Sequence, residues 1–260
     1  MNKREIVRSI QNERLRTLTF LQGLEPAKWD TPTALSGWRI REVVAHLITT
    51  DRAAITGQIL PQVFGSMDKL EAWNDRQLAG WKDRPTEELL EAIESWGRRF
   101  ATFARAFPQP LYRLKLPSML GKGEAGMLIW VRTYDEWVHR QDMRRALGMP
   151  DEEVDLEPVA EFLLQAIGFS TSPKVEGPWV RVAISLDGVP VPEWGYELGT
   201  RTNGPELAKD AAARIIAPGP DFVMAAADRD RFDDLQQEGV LKIEGDEDAA
   251  RRLLAKLRIV

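Results

Sequence analysis

Histidine occurs twice in these 260 residues, at His46 and His139, and cysteine does not occur at all. A chain without cysteine has no disulfide, no zinc ribbon and no thiol nucleophile of its own. Any imidazole chemistry falls to those two positions. Asp135 stands four residues before His139, and Asp142 three after it. At about 100° per residue of helix, the three polar groups share one stripe. Leu128, Val131, Val138 and Ala146 lie near it, so the stripe interrupts a surface that should face a core. Burying an unpaired carboxylate beside an imidazole costs several kcal/mol unless something compensates. A divalent cation would do so: D-x-x-x-H supplies two ligands from one helix face, and His46 on a facing helix supplies a third. Two imidazoles and a carboxylate form a ligand set of catalytic zinc, with a fourth position open. The same set matches the facial triad of non-haem iron. In the competing reading Asp135 pairs with Arg132 and each histidine is a satisfied core residue. Glu136 is the rival carboxylate. It precedes Arg140 by four, a surface ion-pair spacing, and reads as solvent-facing.

The elements that would position these groups are helices. Ile6, Ile10, Leu15, Leu18 and Leu21 predict a helix over about 2–22. Ser36 offers an N-cap for a second over about 38–60, which carries His46. Pro85-Thr86-Glu87-Glu88 opens a third, closed by Pro108 and Pro110. A fourth spans about 124–147, carries Asp135 and His139, and ends at Gly148 and Pro150. Four helices with a long connection over 61–84 read as a bundle. After Pro150 the pattern changes. One more helix is expected at about 157–168, then WVRVAISL alternates as a half-buried strand. Glu193–Gly199, Ala213–Ala217 and Val240–Glu244 are further strands, with helices at about 229–238 and 246–257. The expected fold is therefore two domains, an all-α four-helix bundle over 1–150 and a small α+β domain over 151–260.

Charge follows the same division. Residues 1–150 hold 23 Lys+Arg against 18 Asp+Glu, a net of +5; residues 151–260 hold 12 against 22, a net of −10. An acidic half beside a mildly basic one fits poorly with a nucleic-acid partner, which wants a concentrated basic face. No run of about 18 apolar residues is present, so no transmembrane helix is expected. The charged N-terminus lacks the apolar core of a signal peptide, making a cytoplasmic location the expectation.

Two segments resemble a known family. WDTPTALSGWRIREVVAHL (29–47) is similar to the opening of the mycothiol-dependent maleylpyruvate isomerase family. RTYDEWVHRQDMRRALG (132–148) resembles its second signature, Arg-x-x-Glu-x-x-x-His-x-x-Asp. The WVRVAISL strand and the VLKIEGDEDAARRLLAKL ending are similar to the family's sterol-carrier-protein-like domain. The resemblance implies a DinB-like bundle that binds zinc through His46, Asp135 and His139. It departs at one place: Asp135 stands where the isomerase has glutamate, which either draws the metal toward the long helix or recruits Glu136. The resemblance also implies an external thiol, mycothiol or bacillithiol, and a small electrophilic substrate, with isomerase or S-transferase chemistry. Arg39, Arg41 and Arg52 are candidates for holding a substrate carboxylate, and Asp142 for supporting His139 from behind. The other reading is a non-catalytic metal-containing protein that binds an apolar ligand in its C-terminal domain.

Overall fold

The computed structural model describes residues 2–59, 67–118 and 121–259. The chain divides into two compact units, Met1–Met119 with Glu124–Asp151, and Leu120–Gly123 with Glu152–Val260.

The first unit is helical. Helix α1 (Lys3–Gln22) begins at Asn2, whose side chain accepts from the Arg4 and Glu5 amides at 2.9 and 3.1 Å. Glu5 in turn accepts from the Asn2 amide at 2.6 Å. This reciprocal pairing satisfies donors that a first turn leaves open. Helix α2 (Ile40–Thr56) starts later than the Ser36 cap predicts. Glu42 caps it instead from inside the first turn, accepting from the Arg39 amide at 2.8 Å. Gly57, at φ 74°, ends it, and the expected extension to Leu60 lies outside the described residues. Helix α3 (Met67–Leu78) occupies part of the expected long connection. Its buried side chains Trp73 and Leu78 are too sparse among charged neighbours to give a helical period. Helix α4 (Thr86–Ala106) is followed by the short strand β1 (Lys115–Ser118); β2 (Gly121–Glu124), most of which belongs to the second unit, then leads into α5 (Ala125–Ala146). Leu21, Val43, Val44, Leu47, Leu89, Ile93 and Met143, from all four long helices, share one core.

Helix α5 is not amphipathic in the usual sense. Its buried residues include Arg132, Glu136, His139, Arg140, Gln141 and Asp142. A helix buried on nearly every side must find partners for its charges within the bundle. Arg140 donates to Glu13 of α1 at 2.7 Å. Arg14 of α1 donates twice to Glu136, at 2.8 and 2.7 Å, and once to the Ile93 carbonyl of α4 at 2.6 Å. Charge as well as apolar packing therefore fastens α1 to its neighbours.

The second unit opens with α6 (Glu157–Ser170), which buries Val159, Phe162, Leu163 and Ile167. A five-stranded sheet follows in the order β5 (Asn203–Gly204), β4 (Trp194–Glu197), β3 (Arg181–Asp187), β6 (Ala213–Pro218), β7 (Lys242–Gly245). Central β3 runs antiparallel to β4 and parallel to β6, with Val182 opposite Ala213 and Ile184 opposite Ile215. Ala183 is buried along with Val182 and Ile184, so β3 is covered on both faces and not half-buried as its alternation suggests. Helix α7 (Gly219–Ala226) follows β6 directly; its short Gly-Pro start hides it in sequence. Helices α8 (Phe232–Gln237) and α9 (Glu247–Leu254) flank β7, and Asp246 caps α9 by accepting from the Ala249 amide at 3.0 Å. The fold is a helical N-terminal region followed by a small sheet-containing part. Among the described residues no helix is long and apolar enough to cross a membrane.

At Gly97 of α4 a Cβ would stand 2.2 Å from the Arg14 side chain, at Nη1. That guanidinium is pinned by Glu136 and Ile93 and has no room to retreat. Gly97→Ala is therefore expected to lose about 1–3 kcal/mol by overpacking, despite the better helix propensity of alanine. Urea unfolding monitored by circular dichroism measures this; a stabilised variant would show that Arg14 is not pinned.

Candidate metal centre

Helices α2 and α5 each contribute one histidine. The ring centroids of His46 and His139 lie 4.8 Å apart, with planes inclined at 68°. Trp38, just before α2, stands 5.2 Å from the His46 ring and 6.3 Å from that of His139. Asp135 Oδ1 is 3.8 Å from His46 Nε2 and 3.5 Å from His139 Nε2. Both separations are too long for hydrogen bonds. The three side chains converge without bonding to one another, each offering one ligand atom, all within 4.8 Å. Donors about 2.0–2.1 Å from a tetrahedral zinc ion stand about 3.4 Å apart, so small rotations would close these three on a cation.

Behind the three lies a second set of groups. Asp142 Oδ2 is 2.9 Å from His139 Nδ1. A carboxylate accepts there, so Nδ1 carries the proton and Nε2 turns its lone pair toward Asp135 and His46. Arg132 Nη1 donates to Asp135 Oδ2, and Arg132 Nε donates to Asp51 Oδ1 at 3.0 Å. The other Asp51 oxygen accepts from Arg14 Nη2 at 2.8 Å, and Arg14 also holds Glu136. Glu136 is thus not solvent-facing as its spacing to Arg140 suggests. It is 3 % exposed and spends its carboxylate on Arg14.

Taken in order, Glu136, Arg14, Asp51, Arg132 and Asp135 form a chain of alternating charge, and Arg132 Nη2 also reaches back to Glu136 at 3.6 Å. Three carboxylates share two guanidiniums, and the excess negative charge sits at the end facing the imidazoles. The Asp135 side chain is 27 % exposed, against 5 % for Arg132 and 4 % for Glu136. Asp135 is the member of the chain that reaches solvent.

Burial raises the Asp135 carboxyl, but Arg132 and the two histidines outweigh it and hold the group far below the usual carboxylate range. Burial likewise works against Glu136, yet Arg14 and Arg132 keep it below its ordinary value. For His46 burial dominates and lowers the imidazole despite Asp135 nearby. Near neutral pH the Asp135 and His46 side chains are then in the forms that ligate a metal.

Two of the three arginine candidates are committed elsewhere. Arg39 pairs with Glu42 at 2.6 Å and Asp30 at 2.9 Å. Arg41 meets Asp30 at 2.8 Å and donates to the Lys82 carbonyl at 3.0 Å. Arg52 is half-buried and makes no ion pair among the described residues. Asp51, Arg14 and the inward turn of Arg132 were not legible as site residues. The available signal was the run of charges on every face of α5, which a core helix tolerates only with internal partners.

The family model described as the mycothiol maleylpyruvate isomerase N-terminal domain matches residues 10–144. The chain belongs to that family. It is similar to two solved structures of the mycothiol-dependent maleylpyruvate isomerase. One, a single-residue variant, is 14 % identical with a TM-score of 0.60, covering 94 % of this chain and 93 % of that one. The other is 15 % identical with a TM-score of 0.60, covering 89 % and 91 %. At such identity the likeness is one of fold. No curated protein matches the chain.

The two adjacent acids of α5 should differ in effect. Glu136→Ala leaves Arg14 and Arg132 with too little compensating charge and is expected to cost about 3–5 kcal/mol. Asp135→Ala should cost clearly less, because Asp135 is partly exposed and Arg132 retains Asp51. Denaturant unfolding of both variants without added metal tests the order; equal losses would refute the division into structural and ligand-facing carboxylates.

Proposed function

We propose that this protein is a divalent-metal-dependent enzyme, with zinc as the metal, that uses a low-molecular-weight thiol on a small electrophile. His46, Asp135 and His139 would hold the metal. The observation that carries the reading is their convergence: three donor atoms within 4.8 Å, from two helices, with no hydrogen bond among them. The excess carboxylate of the buried chain supports it, since a cation at that point balances the charge.

The absence of cysteine bears on the chemistry. A thiol-dependent reaction in this chain draws its sulfur from outside, and mycothiol, or bacillithiol, has the required form. A divalent cation, when bound, lowers the pKa of a thiol at its open position and makes a thiolate available near pH 7. The chain's own residues orient and enclose. Asp142 keeps the His139 Nε2 lone pair turned inward. Trp38 walls one side of the two imidazoles with an apolar face. Addition of a thiolate to an electrophilic carbon serves either cis–trans isomerisation or S-transfer. In this reading the first unit is a DinB-like metal-binding bundle, residues 1–150, and residues 151–260 are a sterol-carrier-protein-like domain.

Elemental analysis of untagged protein, purified without chelator, is expected to give close to one zinc per chain. His46→Ala and His139→Ala should each lose it while keeping wild-type helix content. Asp142→Asn should weaken zinc binding by about 10–100-fold, measured by competition with a chromophoric chelator. Full metal retention in either histidine variant would refute the site.

A further inference from the structure

Asp51 contributes nothing to the three converging ligands, yet it is only 1 % exposed. Its two oxygens are divided between arginines from different helices, Oδ1 to Arg132 Nε at 3.0 Å and Oδ2 to Arg14 Nη2 at 2.8 Å. A guanidinium is a planar fork, so fixing its Nε edge fixes the direction of its Nη groups. Arg132 Nη1 then falls on Asp135 Oδ2, and only Oδ1 is left facing His46 and His139.

We propose that Asp51 and Arg132 are positioning residues that restrict Asp135 to a single ligating oxygen and so keep the fourth metal position open. This rests on the metal reading above. A carboxylate without such a partner can ligate through both oxygens, which with two imidazoles crowds the fourth position and, with a water still bound, raises the shell to five. Arg132 prevents this by occupying Oδ2. Arg14 and Glu136 complete the device by holding the far oxygen of Asp51 in place.

Co2+ is a suitable probe, because its visible absorption is intense when four-coordinate and weakens when a further donor joins. Wild-type protein titrated with Co2+ should give the intense band. Asp51→Asn removes the charge that fixes Arg132 at nearly constant volume. Arg132→Lys keeps a positive charge but cannot fork between Asp51 and Asp135. Both variants should show a several-fold weaker band and a Co2+ affinity changed by about 10–100-fold, with unchanged helix content. An unchanged band and affinity in the folded variants would overturn the positioning role and leave the metal reading intact. A wild type that takes up no Co2+, or binds it equally well after His46→Ala, would overturn the metal reading itself. Should neither variant fold, the crystal structure of the Co2+-loaded wild type decides. Asp135 bound through Oδ1 alone, with Oδ2 on Arg132, is the expected result; both oxygens on the ion would refute the proposal.

Discussion

A carboxylate in a protein interior needs a counter-charge, and in the helical unit Glu136, Asp51 and Asp135 share two arginines, Arg14 and Arg132. Much of the bundle follows from how the shortage is handled. Arg14 crosses from α1 to Glu136 and Asp51, and needs the glycine at position 97 to lie against α4. Arg132 joins Asp51 on α2 to Asp135 one turn further along α5. Four helices are thereby held in register by groups that tolerate little displacement, whereas apolar cores accept volume-conserving exchanges. The unmatched charge is left at the one carboxylate that reaches solvent. Structural pairing and a ligand-ready carboxylate are two ends of the same chain of contacts.

The legible part of this arrangement was local. Asp135, His139 and Asp142 recur at helical spacing, and the geometry of one helix is enough to put them on one stripe. That His46 faces them needed only two helices in one bundle. The chain of contacts behind them joins residues as far apart as Arg14 and Glu136, and no spacing rule links these. Glu136 shows the failure clearly. Its distance of four from Arg140 fits a surface pair, but Arg140 turns to Glu13 and Glu136 to Arg14. A helix assumed to have a solvent face invites that error; α5 has almost none. The same limit hid α3, whose apolar residues are sparse, and α7, whose run is too short to set a period, and misplaced the start of α2, where Glu42 caps from within.

Shared fold and shared chemistry are separate matters here. Similarity to the isomerase structures covers nearly the whole chain at 14–15 % identity, a level at which a backbone persists while substrates change. The local chemistry carries more of the functional argument. Two histidines in 260 residues, both at the same point of the bundle, are an economical use of a residue type whose main chemical roles are ligation and proton transfer. A chain with no cysteine, in a family named for a thiol cofactor, has nothing of its own to compete with an external sulfur.

The aspartate at position 135 ties these points together. A glutamate there would carry its carboxylate one methylene further from the helix axis. The shorter side chain keeps Oδ2 close to its own helix, where Arg132 takes it, and leaves Oδ1 some 3.5 to 3.8 Å from the imidazoles. Reach is exchanged for restraint. In the metal reading proposed above, an acid held in this way would approach the ion from one defined side and with one oxygen, and Asp51 supplies the rigidity that a lone arginine on a single helix would lack. The aspartate is thus restrained both by Arg132 on its own helix and, through Arg132, by Asp51 on the next.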